Sequence, residues 1–541
     1  MMNIAIRNLF SEAARGPLMR ALFVLAALSA AGCASRAAPP HVLRVALSVE
    51  PASLSPLTAF TQNQIAYDQL WCQALVGVDE RNRLIPILVT RAPSRENGDV
   101  SSDGTRITYH IRRDVRFADG VPLTAADVAF TYRAILNPAN KTASDDAYRR
   151  IASLTTPDAQ TVVVTLRKPW SGAVRELFAQ ADFVYGILPA HAFRGTLVTG
   201  TPWESEAFGS GPFRVVSRRR GDRIVLEPNP YFRPRPKLSR IVLRLIPNPV
   251  AAFNALRTHE VDVATLTTEN VADAAHVENV RIARVLENGA FALYLQTVAG
   301  PTRDVRVRRA IADALDLPNI AKATHGVFPP STSFFPAPIV TWAAVRPPAF
   351  ADSLTTAARE LDAAGWRLEK GVRLKDGMPL QLVCAVNSET PVEPRVAIIL
   401  QERLAPLGIA VVVKAYPTAL MTAPDGPERT GHFGLLVANY IGGSDPEASM
   451  NLLCSDALPG GPNFGRYCSP RFEALYAAQM RAGSEAERDR DFDAIARLVH
   501  EDVPLVPLFD EVYLEGVDAR VSGYRKNMLR FLVRPEEWDA N

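Results

Sequence analysis

The chain has 541 residues, of which 48% are hydrophobic and 22% are charged, and its 60 basic and 57 acidic residues give a net charge of +3. This length allows two or more domains with a large buried core, and the composition is that of an ordinary globular protein. The nearly balanced charge, without a basic run that contains aromatic residues, argues against a nucleic-acid partner.

Residues 1–33 predict a targeting segment. Arginines precede the apolar run ALFVLAALSAA (21–31), which is too short to span a bilayer, and Gly32-Cys33 follows. Small residues directly before a cysteine resemble the lipobox of bacterial lipoproteins, although Ala30 stands where leucine is usual. We therefore expect lipidation of Cys33 and a flexible tether over residues 34–40. Ordinary secretion with cleavage nearby is the alternative.

Strand and helix patterns alternate through the first part of the mature chain. The run HVLRVAL (41–47) alternates apolar and polar residues and predicts the first strand. Residues 66–78 have a helical pattern that turns into a strand, and residues 86–113 have the pattern of a hairpin. TVVVTL (161–166) predicts another strand.

Residues 115–135, VRFADGVPLTAADVAFTYRAI, predict a strand, a tight turn and the start of a helix. Asp119-Gly120 is a turn signal because glycine adopts positive φ easily. Thr124 is placed to cap the helix, and Asp127 lies where the positive end of the helix dipole favours a carboxylate.

Two glycines flank Ser210 in the segment GSGPFRVVSRRRGDRIVLEPNPYF (209–232). Such glycines let the backbone approach another backbone or a ligand closely. The segment is not a phosphate loop, because the lysine and hydroxyl residue of that motif are missing.

Two later segments predict further helices. Residues 304–328 contain apolar side chains at helical spacing, which indicates an amphipathic helix. Residues 394–414 read as a helix, a stop at Gly408 and a strand.

Cys454 and Cys468 are 14 residues apart and flank a loop rich in glycine and proline. Export permits a disulfide between them, which would contribute roughly 3 kcal/mol on the chain-entropy model. Zinc is the rival interpretation, but neither a second cysteine pair nor a close histidine completes a site. Cys72 and Cys384 lie in apolar surroundings, and we expect buried thiols.

Motifs of catalysis and metal binding are missing from the sequence. It contains no HExxH, Walker loop, GxGxxG after a strand or GxSxG elbow, and its eight histidines are scattered singly. The sequence therefore predicts no enzyme, no metal site and no cofactor.

Several of these segments resemble, in the same order, motifs of the extracellular solute-binding proteins of family 5, the binding components of peptide and nickel ABC importers. Residues 115–135 match the pattern F-S-D-G-x-P-[LF]-[TN]-A-x-D-V, with Ala118 in place of the serine. Residues 209–232, 304–328 and 438–475 match later motifs, and the last includes an Asp-Pro and both cysteines. The resemblance runs from His41 to Tyr524.

The resemblance implies an α/β protein with the two-lobed periplasmic-binding-protein type II fold (cluster C) and an extra α+β subdomain in the first lobe. A ligand would lie in the cleft between the lobes and be trapped by hinge closure. The implied division is 41–88 and 206–290 for the two parts of lobe 1, 89–205 for the extra subdomain, 291–505 for lobe 2, and 506–541 for the return to lobe 1.

The same resemblance suggests which residues line the cleft. Arg395 matches an arginine that meets the ligand carboxylate in some peptide binders, and a surface arginine is the alternative. The predicted ligand-binding residues are Ser55, Thr58, Phe60, Gly209, Ser210, Gly211, Arg395, Asn439, Tyr440, Gly442 and Asp445.

One departure from the family bears on the ligand. Peptide binders usually carry an aspartate just before the Asp-Pro, and it takes the ligand's α-ammonium as a buried charge pair. Here Asn439, Gly442 and Ser444 occupy that neighbourhood, and Asp445 before Pro446 reads as a turn residue. Capture of a free peptide amine is therefore an open question, while Asn439 can still hydrogen-bond a neutral polar ligand.

The resemblance implies a lipid-anchored, monomeric substrate-binding subunit that delivers oligopeptides or another small polar ligand to an ABC permease and ATPase complex. It would be exported to the periplasm or the cell surface and held to a bacterial membrane by its anchor. An envelope ligand sensor or folding helper with the same fold is the alternative function. An exported hydrolase is a weaker third possibility.

Overall fold

The computed structural model of the protein describes residues 41–58, 62–180, 186–331, 333–338, 349–449, 451–457 and 461–541. The predicted targeting segment with Cys33, the whole tether (34–40) and Phe60 lie outside the described residues.

The described strands, numbered in chain order, are β1 (Val42–Leu47), β2 (Val76–Val78), β3 (Leu84–Pro86), β4 (Arg106–His110), β5 (Ile151–Asp158), β6 (Thr161–Leu166), β7 (Phe213–Arg219), β8 (Arg223–Pro228), β9 (Arg240–Leu245), β10 (Val263–Thr265), β11 (Val280–Leu295), β12 (Arg367–Glu369), β13 (Val372–Lys375), β14 (Met378–Pro379), β15 (Gln381–Asn387), β16 (Ala410–Tyr416), β17 (Leu435–Ile441), β18 (Leu505–Asp518), β19 (Val521–Ser522) and β20 (Asp539–Ala540).

The described helices are α1 (Gln62–Asp68), α2 (Ala125–Leu136), α3 (Asp146–Arg149), α4 (Ala173–Glu176), α5 (Pro249–Arg257), α6 (Val271–Ala274), α7 (Val305–Ala314), α8 (Leu317–Ala321), α9 (Leu354–Ala363), α10 (Val392–Leu404), α11 (Thr418–Met421), α12 (Pro427–Thr430), α13 (Pro470–Arg481) and α14 (Glu485–Asp502).

A ten-stranded mixed sheet runs through both lobes in the order β16-β15-β17-β11-β18-β10-β1-β9-β8-β7. Strands β7 to β10 and β1 form the sheet of the first lobe, and β15, β16 and β17 form that of the second. The long strands β11 and β18 pair with each other and belong to both lobes. The two lobes are therefore joined through a continuous sheet.

A bulge interrupts β11 where it passes from one lobe to the other. The pairing with β18 is regular up to Leu286, opposite Val512, and resumes at Ala290, opposite Asp510. Beyond the bulge, β11 also pairs with β17 of the second lobe. We call residues 287–289 the hinge, because a bulge weakens the ladder and bends the strand at the point where β11 passes between the lobes.

The first lobe carries a smaller unit built on the three-stranded sheet β4-β6-β5 and helix α2. The helix begins as its sequence predicts: the Thr124 backbone N–H donates to the Asp127 carboxylate at 2.8 Å. The apolar side of α2 is buried in the core of the first lobe, to which Val128, Phe130 and Ile135 all contribute. We refer to this unit as the subdomain.

Most predicted elements are confirmed. Strands occupy 42–47 and 161–166, α10 and β16 flank Gly408, and α7 buries the apolar face expected of residues 304–328. The numerical boundaries of the lobes stay a prediction: the one near residue 290 falls inside β11, and the one near residue 505 falls at the start of β18.

Two local predictions are wrong. Residues 115–117 form only an isolated bridge, Arg116 to Pro122, because the turn follows immediately. Helix α1 ends at Asp68, well before the strand at Val76.

The hairpin predicted over residues 86–113 is present in part. Isolated antiparallel bridges join Val89 to Ile111 and Val100 to Ile107, while β4 within this segment also pairs with the distant β6.

Within the described residues, no helix combines the length and the apolar content that crossing a bilayer requires.

Candidate functional site

The end of β17 lies beside the hinge and presents polar side chains there. Asn439 is exposed, whereas Tyr440 is buried and donates its hydroxyl to the Phe334 carbonyl. The backbone N–H of Gly442 donates to the carbonyl of Asn288 in the hinge bulge at 2.8 Å. Of the predicted ligand-binding residues, Asn439, Tyr440 and Gly442 are thus brought together at the hinge.

Asp445 is fully buried and engaged by another side chain. Arg488 of α14 donates to its two carboxylate oxygens at 2.6 and 2.7 Å. Burial by itself would raise the pKa of Asp445, but the Arg488 guanidinium outweighs it and holds this pKa below its usual value. The structure therefore gives Asp445 an internal ion pair of lobe 2 in place of the predicted ligand contact.

Gly209, Ser210 and Gly211 lie against the backbone of residues 70–72 in the first lobe. The Gly211 N–H donates to the Trp71 carbonyl at 3.0 Å, and a Cβ on Gly209 would lie 2.2 Å from that same oxygen. The close approach predicted for this segment is therefore to another backbone. Ser210 is buried, and its hydroxyl has no hydrogen-bond partner among the described residues.

Thr58 ends a short 3-10 turn at 56–58, and Ser55 directly precedes this turn. Ser55 is fully buried, and its hydroxyl accepts from the Leu57 N–H at 3.4 Å. Thr58 is half-buried, and both its N–H and its hydroxyl donate to the Ser55 carbonyl. Ser55 therefore stabilises this loop from a buried position by accepting its hydrogen bonds.

Arg395 lies at the start of α10 and reaches across to the first lobe. Its guanidinium donates to Glu269 at 3.0 Å and contacts His325 at 2.7 Å. Glu269 belongs to the segment between β10 and α6 of lobe 1, so the pair joins the two lobes.

A second junction of the lobes is centred on Glu447, which follows β17. Its carboxylate accepts from Arg150 at 3.1 Å and Trp170 Nε1 at 2.7 Å, both from the subdomain, and from Tyr476 at 2.8 Å within lobe 2. The Arg150 guanidinium also lies 4.2 Å from the centre of the Trp170 ring. We call these four residues the Glu447 junction.

Three charged residues at the hinge are not among those predicted from the sequence. Arg530 donates to both oxygens of Glu287 in the bulge, with 2.6 Å between Nη2 and Oε2. Glu511 on β18 is buried, and burial together with the neighbouring Glu287 raises its pKa to about 7. The signal available in the sequence was an adjacent acidic pair, Asp510-Glu511, inside a segment otherwise rich in apolar residues.

The remaining site predictions concern cysteines and metals. Cys454 and Cys468 form a disulfide, as predicted, and Cys72 and Cys384 are buried free thiols. Across the described ranges, no group of three or more His, Cys, Asp or Glu side chains is placed to hold a metal ion.

Comparison with known families identifies this architecture. Residues 83–459 match the model of the bacterial extracellular solute-binding proteins, family 5, middle region. The chain belongs to this family. It is therefore an exported solute-binding protein of the kind that serves ABC importers, built on the type II periplasmic-binding-protein fold.

Two curated relatives of this family member cover most of its length. The probable D,D-dipeptide-binding periplasmic protein DdpA of Escherichia coli is 23% identical over 516 residues, which is 91% of this chain and 92% of DdpA. A putative ABC transporter peptide-binding protein of Brucella ovis is 26% identical over 422 residues, or 75% of this chain and 76% of the relative.

Solved structures share the fold at low sequence identity. NikZ of Campylobacter jejuni, in complex with Ni(L-His), has a TM-score of 0.75 and 22% identity over 93% of this chain and all of its own. AppA of Bacillus subtilis, in complex with a nonapeptide, has a TM-score of 0.70 and 21% identity over 92% of this chain and 99% of its own.

Proposed function

We propose that this protein is the lipid-anchored binding subunit of an ABC importer, which captures oligopeptides or a similar small polar solute between its lobes and delivers it to a permease and ATPase complex. The hinge carries this proposal. Both lobes share one sheet through β11 and β18, and the bulge at 287–289 lies beside the last residues of β17, where Asn439 is exposed opposite Phe291. A solute bound there touches both lobes and the element that flexes between them.

The contacts at the hinge suit the binding of a polar solute. The carboxylate of Glu287 accepts from Arg530, and that of Glu511 accepts from the side-chain amide of Asn439. The two curated relatives described above carry peptide-binding names, which favours peptides as the solute class.

Cys33 and the tether would hold the protein at the membrane in this scheme, and the mature protein would act as a monomer. The N-terminal apolar run followed by Gly32-Cys33 supports the anchor.

Native mass spectrometry tests this proposal. Residues 34–541 are purified under mild conditions, and co-purifying molecules are released by denaturation and identified. A ladder of short peptides supports the oligopeptide assignment. A single non-peptide species would replace peptides with another solute. An empty protein that is also not stabilised thermally by a peptide mixture would contradict the transport function and favour the envelope sensor or folding helper.

A further inference from the structure

Glu511 is a buried acid without an ion-pair partner among the described residues. It lies on β18 opposite the hinge bulge, and 8% of the residue is exposed. Oε1 accepts one long hydrogen bond, 3.3 Å, from Asn439 Nδ2. Oε2 has no hydrogen-bond partner in the described part of the chain. A buried carboxylate with an unused oxygen is costly for a folded protein, so its presence calls for a compensating role.

The positively charged guanidinium beside Glu511 is already paired with another acid. Arg530 forms a two-pronged ion pair with Glu287, which uses both carboxylate oxygens of that residue. Glu511 therefore shares its neighbourhood with a second acid whose own partner is taken. When both acids are ionised, these three side chains carry two negative charges and one positive charge.

The surroundings of Glu511 contain further acceptors. Asn288 in the bulge is 1% exposed, and its Oδ1 lacks a donor among the described residues. A Cβ built on Gly289 would lie 2.8 Å from Glu511 Oε2 and 3.2 Å from the Tyr440 carbonyl oxygen. Glu511 Oε2 and the Tyr440 carbonyl oxygen therefore both lie near Gly289, and Asn439, which bonds to Glu511 Oε1, is exposed.

The unbonded oxygen of Glu511 and its negative charge when ionised determine which ligand groups suit this position. A group that brings several N–H donors and a positive charge satisfies both, whereas a neutral or anionic group satisfies neither.

We propose that Glu511 is the specificity residue that binds a cationic group of the solute, an ammonium or a guanidinium, at the hinge. This assignment rests on the proposed function and narrows it to solutes that carry a positive charge. It also supplies the acid that the segment from Asn439 to Ser444 does not contain. Because Glu511 lies on the strand shared by both lobes, the bound cation acts where the molecule bends.

The test compares the mature protein with two variants. Glu511→Gln removes the charge and keeps the shape. Glu393→Gln is the matched control. Glu393 lies on α10, and burial raises its pKa to about 7 as well, but its Oε2 accepts from the Asn387 N–H at 2.6 Å. The probes are the arginine-free peptides of a tryptic digest of casein and the same peptides after acetylation of their amines. Peptides with arginine are left out because acetylation does not neutralise a guanidinium. Butylamine and agmatine are used as simple cations, with 1-butanol as the neutral comparison.

Thermal stabilisation and native mass spectrometry report binding. We expect the wild type and Glu393→Gln to bind the untreated digest about tenfold or more tightly than the acetylated one, as for a buried charge pair that loses one partner. Glu511→Gln should lose this preference. It should also unfold without probe at the same temperature as the wild type or higher, since it no longer buries an unpaired charge.

Other results overturn the assignment or separate it from the proposed function. If Glu511→Gln keeps the preference, or the wild type binds both digests equally, the assignment is wrong while peptide binding stands. If the wild type binds neither digest, the peptide proposal fails and the simple cations decide. If butylamine or agmatine then stabilises the wild type but not Glu511→Gln, the assignment is supported. If neither compound stabilises the wild type, the assignment is overturned.

Discussion

Replacing Glu447 with glutamine should open the protein. The Glu447 junction joins the subdomain to lobe 2 through one carboxylate that accepts three hydrogen bonds. Glutamine has nearly the same shape but offers one acceptor oxygen and one N–H₂ group. At least one donor of the junction must then face another donor.

The expected magnitude follows from the exposure of each partner. The Arg150 side chain is 41% exposed, so solvent reduces its ion pair with Glu447 to below about 1 kcal/mol. Trp170 is 6% exposed, and losing its hydrogen bond to a charged acceptor costs about 1.5–3 kcal/mol. Together they predict a loss of about 2 kcal/mol for the joined arrangement, or about a 30-fold shift toward the open form.

Small-angle X-ray scattering on the solute-free protein measures this shift as an increase in the radius of gyration. Solute affinity should weaken in parallel, because the closed form becomes a smaller fraction of the population. Glu501→Gln is the matched control: Glu501 pairs with Arg471 at 3.3 Å, but both residues lie within lobe 2. If Glu447→Gln scatters like the wild type, these contacts do not hold the lobes together and the reasoning is refuted.

Three further predictions concern the buried residues. Arg488→Met leaves Asp445 buried without its partner and should lower the free energy of unfolding by about 3–5 kcal/mol, as measured in urea. Gly209→Ala places a methyl group against the Trp71 carbonyl and should cost about 1–3 kcal/mol in the same assay. A cation binds the ionised form of Glu511, whose pKa is about 7, so affinity for butylamine should fall about tenfold from pH 8 to pH 6.

Each of these predictions has a control within the chain. Arg471→Met removes an exposed partner and should change stability by less than about 1 kcal/mol. Gly483→Ala meets only the ends of flexible side chains and should be nearly neutral. Glu393→Gln should keep the pH dependence that Glu511→Gln loses. An equal effect of test and control in any pair contradicts the corresponding assignment.

The pH dependence of stability at Asp445 has a definite sign. Its folded pKa is held below the unfolded value near 4, so its ion pair contributes fully above that value. The contribution declines as the pH falls through the folded pKa. Arg488→Met should therefore lose less stability on acidification than the wild type does.

Local features of this fold are readable from the sequence, because neighbouring residues decide them. Thr124 and Asp127 cap α2 from three positions apart, and Gly408 ends the helical segment of α10. The disulfide closes a loop of 14 residues, which chain composition and export chemistry already suggest.

The charged interior could not be predicted in the same way. Asp445 finds Arg488 43 residues away, and the register of β18 against β11 joins segments more than 200 residues apart. The sequence showed Glu511 as one acid of an adjacent pair. Only the pairing of β18 with the bulge shows that this side chain is buried beside Glu287 while Asn439 stays exposed.

The shared sheet also makes folding of the first lobe depend on distant parts of the chain. Strand β1 begins the described chain, yet its neighbour β10 pairs with β18, and the His41 N–H donates to the carbonyl of Ala540. The sheet of the first lobe therefore lacks an internal strand, and the start of β1 lacks its contact with Ala540, until β18 and β20 have joined them. Folding of the first lobe thus depends on segments far along the chain from the strand that they complete.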